Sequence, residues 1–145
     1  MNMDAQPRFP GKAEMPALLR RHGITPTRQR VQVAEVLLSR PQHLTADQLL
    51  HLVNSEYPAV SRATIYNTLN AFVRAGLLGL VKIPGDNVYY DSSTHDHAHV
   101  YNEDTGQVFD APIDVLRLAA GVPLPEGVEL AGAEFLVRVR NAGSD

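Results

Sequence analysis

Apolar residues recur at helical spacing through the front of this chain and then give way to alternation. Residues 15–22 predict a short helix with Leu18 and Leu19 as its apolar side and Gly23 as its C-terminal stop. Thr25 and Pro26 predict the opening of a second helix, Thr as N-cap and Pro at the first helical position. Val33, Val36 and Leu37 face the core along it, and Pro41 ends it. Thr45 caps a third helix whose buried side is Leu49, Leu50 and Val53, closed at Tyr57-Pro58 because a residue before proline avoids the α region. Ser61 caps a fourth, which runs to about Ala75 and stops at Gly76. Residues 77–83 and 88–91 read as two strands joined by the turn PGDN.

Three helices followed by a hairpin make a winged-helix arrangement, a relative of helix-turn-helix. Beyond it the expected elements are strands at 97–102 and 107–110, a helix over 112–120, a bend at GVPLPEG and a last strand over 134–140. The fold class is therefore α+β: a winged-helix domain over 1–91, with residues 1–14 a loose tail, and a small α/β domain over 92–145. The back part is marginal for a core of its own, so it is expected to bury surface against a second copy.

Composition narrows the classes. No apolar run of about 18 residues exists to span a membrane, and the N-terminus has no apolar core of the kind a secretion signal needs. With no cysteine there is neither a disulfide nor a thiolate zinc site, which is compatible with a cytoplasmic home. The net charge of −3 hides a division. Residues 1–84 hold ten Lys/Arg against five Asp/Glu, whereas residues 85–145 hold three against eleven. A basic front and an acidic back suit nucleic-acid contact in one and a cation site in the other.

The fourth helix carries Ile65, Leu69 and Phe72 on one face, with Val73 beside them, and Arg62, Thr64, Tyr66, Asn67 and Asn70 on the other. Asn can pair with adenine, and Tyr or Thr can touch a thymine methyl. The N-terminal part of such a helix enters the major groove. Candidates for DNA contact are thus Ser61, Arg62, Thr64, Tyr66 and Asn67. Arg20, Arg21, Arg28, Arg30 and Lys82 are candidates for phosphates, which set affinity rather than sequence choice. The bland alternative is an amphipathic helix with a solvated face; the hairpin behind it and the basic front favour DNA.

The stretch HDHAHVYNEDTGQVFD holds the other chemistry. His97 and His99 lie two apart in an alternating segment and project from one face. Asp91 precedes them and Asp110 follows on the next strand. Two imidazoles with two carboxylates make a mixed site for a divalent transition metal, and aspartates harden it towards Mn(II) and Fe(II), although raw affinity favours Zn(II). His43, in HLTAD, is far away in sequence, and spacing alone gives no reason to prefer ligand over loop histidine. His95 reads as a spare, and His22 and His51 as helix-surface residues.

Taken together, GITPTRQRVQVAEVL, HLTADQLL, PAVSRATIYNTLNAFVRAGLL and HDHAHVYNEDTGQVFD resemble the ferric uptake regulator family in order and spacing. The likeness covers residues 16–112 well and the rest more loosely. It implies a winged-helix domain, a C-terminal dimerisation domain and a metal site between them, in a homodimer that binds an inverted-repeat DNA operator as a repressor. Carried over residue by residue, the ligands would be His43, Asp91, His97, His99 and Asp110, which makes His43 a ligand. Most relatives have a Cys-x-x-Cys pair for structural zinc; Asn102 and Thr105 stand at those positions, so that zinc is expected to be absent. A second histidine/acid site of some members also lacks its pattern, with Asp96 and Ala98 in place of donors.

The all-aspartate carboxylates resemble the peroxide-sensing branch, in which ferrous iron drives oxidation of a ligand histidine. The missing cysteines and TIYNTLNAF are more like the iron-response regulators that answer to haem, although no Cys-Pro haem motif is present. A metal-responsive repressor ranks first, a peroxide sensor second and a haem-linked regulator third. A different class is a metalloenzyme using the same cluster, which would want an open coordination position and a positioned acid or base; Glu103 and Asp104 lie nearby, but no motif defines a substrate pocket. A last alternative is a DNA-binding protein that has lost sensing, against which the intact ligand positions count.

Overall fold

The computed structural model describes residues 9–57, 60–85, 88–93, 98–111 and 113–143, the side chain of Leu116 excepted. The chain divides into two compact units, Met1–Thr94 and His95–Asp145.

The first unit is built on four helices: α1 (Met15–Arg21), α2 (Arg28–Leu37), α3 (Ala46–Glu56) and α4 (Arg62–Arg74). Their apolar stripes meet in one core, where Met15, Leu19, Val33, Leu37, Leu49, Val53, Ile65, Leu69 and Phe72 are essentially inaccessible. Helix boundaries follow local chemistry. In α3, Thr45 and Gln48 cap each other reciprocally, the Thr45 hydroxyl accepting the Gln48 N–H and the Gln48 side chain accepting the Thr45 N–H. The Ser61 hydroxyl accepts the Thr64 N–H at 3.1 Å and starts α4. Gly76, at φ +79°, ends it: that left-handed turn lets Leu77 N–H reach the Phe72 carbonyl.

Behind the helices lies a three-stranded antiparallel sheet in the order β1-β3-β2, from β1 (His43–Leu44), β2 (Gly79–Lys82) and β3 (Val88–Asp91). The helices with this hairpin are the winged-helix arrangement expected from the pattern. In the second unit β4 (Ala98–Asn102) pairs antiparallel with β5 (Val108–Ala111) and parallel with β6 (Leu136–Val139), and α5 (Val115–Ala119) lies between β5 and β6 in sequence. No helix among the described residues is long and apolar enough to cross a membrane.

Several boundaries differ from the sequence reading. The cap of α2 is Thr27, not Thr25: its hydroxyl accepts the Arg30 N–H, and Pro26 stands before the helix. The helix then ends at Leu37, ahead of Pro41, because the Gln42 side chain turns back onto the carbonyls of Val36 and Leu37. α5 starts at Val115 rather than at 112, since the Asp114 carboxylate accepts the Arg117 N–H at 3.0 Å. Lys12–Glu14, assigned to the tail by the sequence, form one 3-10 turn. His43, read first as a loop residue, is in a strand. The tip of the PGDN turn, at 86 and 87, and the start of the expected helix at 112 lie outside the described residues.

Candidate metal centre and DNA-reading helix

Among the described residues, each unit contains one imidazole paired with one carboxylate, and both pairs arise in the same way. Residues directly opposite each other on antiparallel strands bring their Cβ atoms within about 5 Å. In the first unit β1 and β3 align His43 with Asp91, and His43 Nε2 lies 3.2 Å from Asp91 Oδ2. In the second, β4 and β5 align His99 with Asp110, and His99 Nε2 lies 3.7 Å from Asp110 Oδ1. The His43 and Asp91 side chains are 10% and 2% exposed, those of His99 and Asp110 17% and 33%. A buried carboxylate is costly unless its oxygens are engaged. Asp91 meets that cost in part locally: its Oδ1 accepts the Ser93 N–H at 2.8 Å, so Oδ2 is the oxygen turned to His43.

His43 with Asp91, and His99 with Asp110, each offer one imidazole nitrogen and one carboxylate, donors of the kind that Fe(II), Mn(II) or Zn(II) accept. With no cysteine in the chain a thiolate zinc site is ruled out by composition. His97, the remaining expected ligand, and His95 lie outside the described residues.

On α4 the two faces divide as the spacing predicts. Ile65, Leu69 and Phe72 are buried, whereas Arg62, Tyr66, Asn67 and Asn70 are exposed and Thr64 is half-buried. The hydroxyls of Ser61 and Thr64 hydrogen-bond each other at the helix start, so their present work is capping. Arg62 is held by Asp47 of α3. That hydrogen bond, and then the Asp47 charge, keep its guanidinium above the usual arginine range. Arg28 is exposed at the start of α2, whereas Arg30 is half-buried and donates through Nη1 to the Thr25 carbonyl at 3.0 Å. Arg20, Arg21 and Lys82 are exposed.

The sequence reading missed two groups. Arg74 joins Asn70 and Lys82 along an open groove of about 450 Å³ between α4 and the hairpin, whose other walls include Val73, Leu80 and Tyr90. Burial, with nearby Tyr66 second, pushes the Tyr90 phenol up, so this wall stays uncharged. The helical period does place Arg74 four residues after Asn70, which is the signal that could have found it. Gln42, Ser92 and Ser93 around the His43–Asp91 pair had weaker signals or none. The Asp-Ser-Ser run, prone to bonding its own backbone two residues on, pointed to the two serines, and no sequence signal pointed to Gln42.

The sequence pattern of the Ferric uptake regulator family matches residues 21–132. The peroxide-responsive repressor PerR of Staphylococcus saprophyticus is 34% identical over 92 residues, 63% of this chain and 62% of that protein. The chain therefore spans a little under two thirds of the length of that curated relative. Among solved structures, the ferric uptake regulator from Pseudomonas aeruginosa with manganese superposes with a TM-score of 0.72 at 26% identity, over 89% of this chain and 98% of that one. The ferric uptake regulator of Vibrio cholerae gives 0.71 at 26% identity, over 86% and 98%. A winged-helix unit, a small mixed unit and paired histidines and aspartates thus occur in a chain whose sequence matches one family over most of its length, and the chain belongs to the Ferric uptake regulator family.

Proposed function

We propose that this chain is a metal-dependent transcriptional repressor of the cytoplasm, binding an inverted-repeat operator in double-stranded DNA as a homodimer. The divalent metal, Fe(II) or Mn(II) with Zn(II) able to substitute, would be held by His43, Asp91, His97, His99 and Asp110. The observation that carries this reading is the imidazole–carboxylate pair on facing strands of each unit. When bound, the metal supplies the positive charge that the two aspartates require in a partly dry setting. Asp91 keeps one oxygen on Ser93 and presents the other beside His43. Metal favours the DNA-competent state only by binding it more tightly than the other, and DNA must then favour metal by the same factor.

DNA reading is assigned to the exposed face of α4. Tyr66 and Asn67 meet base edges, Ser61 and Thr64 fix the start of the helix, and Arg62 with Arg28 and Arg30 meets phosphates. The homodimer has its own support. The buried hydrophobic residues of the second unit are only Ala98, Val115 and Ala119 among those described, while Phe109, Leu118, Leu124, Val128, Phe135 and Val137 are each 39% exposed or more. A unit with so small an interior and so much apolar surface calls for a covering partner.

Membership of a family of transcriptional regulators sets the metalloenzyme alternative aside. A second reading, peroxide sensing, is favoured by the 34% identity to a peroxide-responsive repressor and by the use of aspartate alone among the carboxylates. Loss of DNA binding when the Fe(II)-loaded chain meets peroxide would select it.

Tyr66→Ala tests the assignment of the two tasks. Its affinity for operator DNA in Mn(II) should fall about tenfold, the scale of one lost base contact, with Mn(II) affinity unchanged. Fluorescence anisotropy and Mn(II) calorimetry read the two quantities. Unchanged DNA affinity, or a large loss of Mn(II) binding, would contradict it.

A further inference from the structure

β1 has only two residues, yet it positions His43. Two ladder positions offer little to offset the backbone entropy of fixing such a segment. Something else must hold it. Immediately before β1, the Gln42 N–H donates to Ser92 Oγ at 3.0 Å, and the Ser92 N–H donates to the Gln42 carbonyl at 3.2 Å. The Ser92 hydroxyl donates in turn to the Arg40 carbonyl at 2.7 Å. One nearly buried serine thus clips the chain on both sides of Pro41 and Gln42 to the end of β3, next to Asp91. The Gln42 side chain faces the other way. Its Nε2 donates to the Val36 and Leu37 carbonyls at 2.7 and 2.8 Å, two of the acceptors that the end of α2 leaves without helical partners. A side-chain amide has two N–H donors, and both are spent there.

We propose that Ser92 and Gln42 are positioning residues of the metal site: Ser92 fixes His43 opposite Asp91, and Gln42 ties that pair to the end of α2. The inference rests on the assignment of His43 and Asp91 as ligands and assigns what makes their spacing rigid. Neither side chain is a donor to the metal. Each acts through His43, as groups behind a ligand do when they set its orientation and affinity. Because Gln42 also closes α2, a displacement of His43 is passed to a helix packed in the same core as α4. Occupancy of the metal site is thereby connected to the DNA-reading helix within the first unit.

Cobalt(II) titration of the full-length chain, followed by its visible absorption, tests this. Ser92→Ala should weaken Co(II) binding roughly 10–100-fold, the cost of losing an outer partner of a ligand, and change the band shape. Ser92→Thr, which keeps the hydroxyl, should restore both. Gln42→Met keeps the length of the side chain but removes both N–H donors, and should shift affinity in the same direction; it stands as the test if Ser92→Ala fails to fold. The metal-free protein gives an independent readout, because the His43 ring resonances should move in Ser92→Ala and return in Ser92→Thr. Wild-type Co(II) affinity in both Ser92→Ala and Gln42→Met would overturn the proposal, as would failure of threonine to rescue or unmoved His43 resonances. If the unaltered chain takes up no Co(II), the metal reading itself falls, and this inference with it.

Discussion

Replacing His99 with alanine should lower the affinity for Mn(II) by more than the roughly 10–100-fold that loss of an outer partner costs, and should remove metal dependence from DNA binding. In the proposed ligand set His99 would be the imidazole donor of β4, and no other side chain on β4 or β5 offers a ring nitrogen. Its partner Asp110 would remain as a third-exposed carboxylate that water can solvate. The fold should therefore survive. His99 is only half-buried and stands outside the helical core, so truncation opens no cavity there. Calorimetric titration with Mn(II), with circular dichroism as the control for folding, reads the outcome. Near-normal Mn(II) affinity in a folded His99→Ala protein would remove His99 from the ligand set.

Phe72→Ala should act on stability instead, by about 3–5 kcal/mol. Its side chain is fully buried among the packed faces of the first unit's helices. The cost combines lost transfer energy with a cavity that rigid neighbours fill only in part. Against a total of roughly 5–15 kcal/mol for a domain of ordinary stability, such a loss leaves a substantial unfolded fraction near physiological temperature. The exposed face of the same helix gives the contrast: Asn67→Ala should stay within about 0.5 kcal/mol, as surface changes do. Urea denaturation of both variants decides it. A cost below about 1 kcal/mol for Phe72→Ala would mean that α4 is not seated as described.

Legibility in the sequence followed the length and regularity of each element. α4 could be read from end to end, because Ser61, the Ile65-Leu69-Phe72 stripe and Gly76 agree on where it starts, which face it buries and where it stops. α3 was equally clear, with Thr45 and Gln48 forming a capping pair. α2 was misplaced at both ends for separate reasons. Two threonines flank Pro26, and either could cap; at the other end a glutamine side chain, invisible to periodicity, stops the helix before Pro41. β1 was too short to show alternation. For that reason the residues alone left His43 undecided, and only the family resemblance raised it to a ligand; its register with Asp91 is a property of the sheet. The parallel pairing of β6 with β4 was likewise beyond a sequence pattern, which marks strands but not their neighbours. The His99–Asp110 pair was easier, since both lie on adjacent strands of one hairpin.

The repressor account turns on metal dependence. The measurement that tests it most directly is an anaerobic gel shift of the purified chain on the DNA upstream of its own gene. One sample is stripped with chelator, and the others receive Mn(II), Fe(II) or Zn(II). Retarded DNA only in the metal-containing lanes is the result this account predicts. Equal retardation with and without chelator would show that the histidine–aspartate pairs are not a switch.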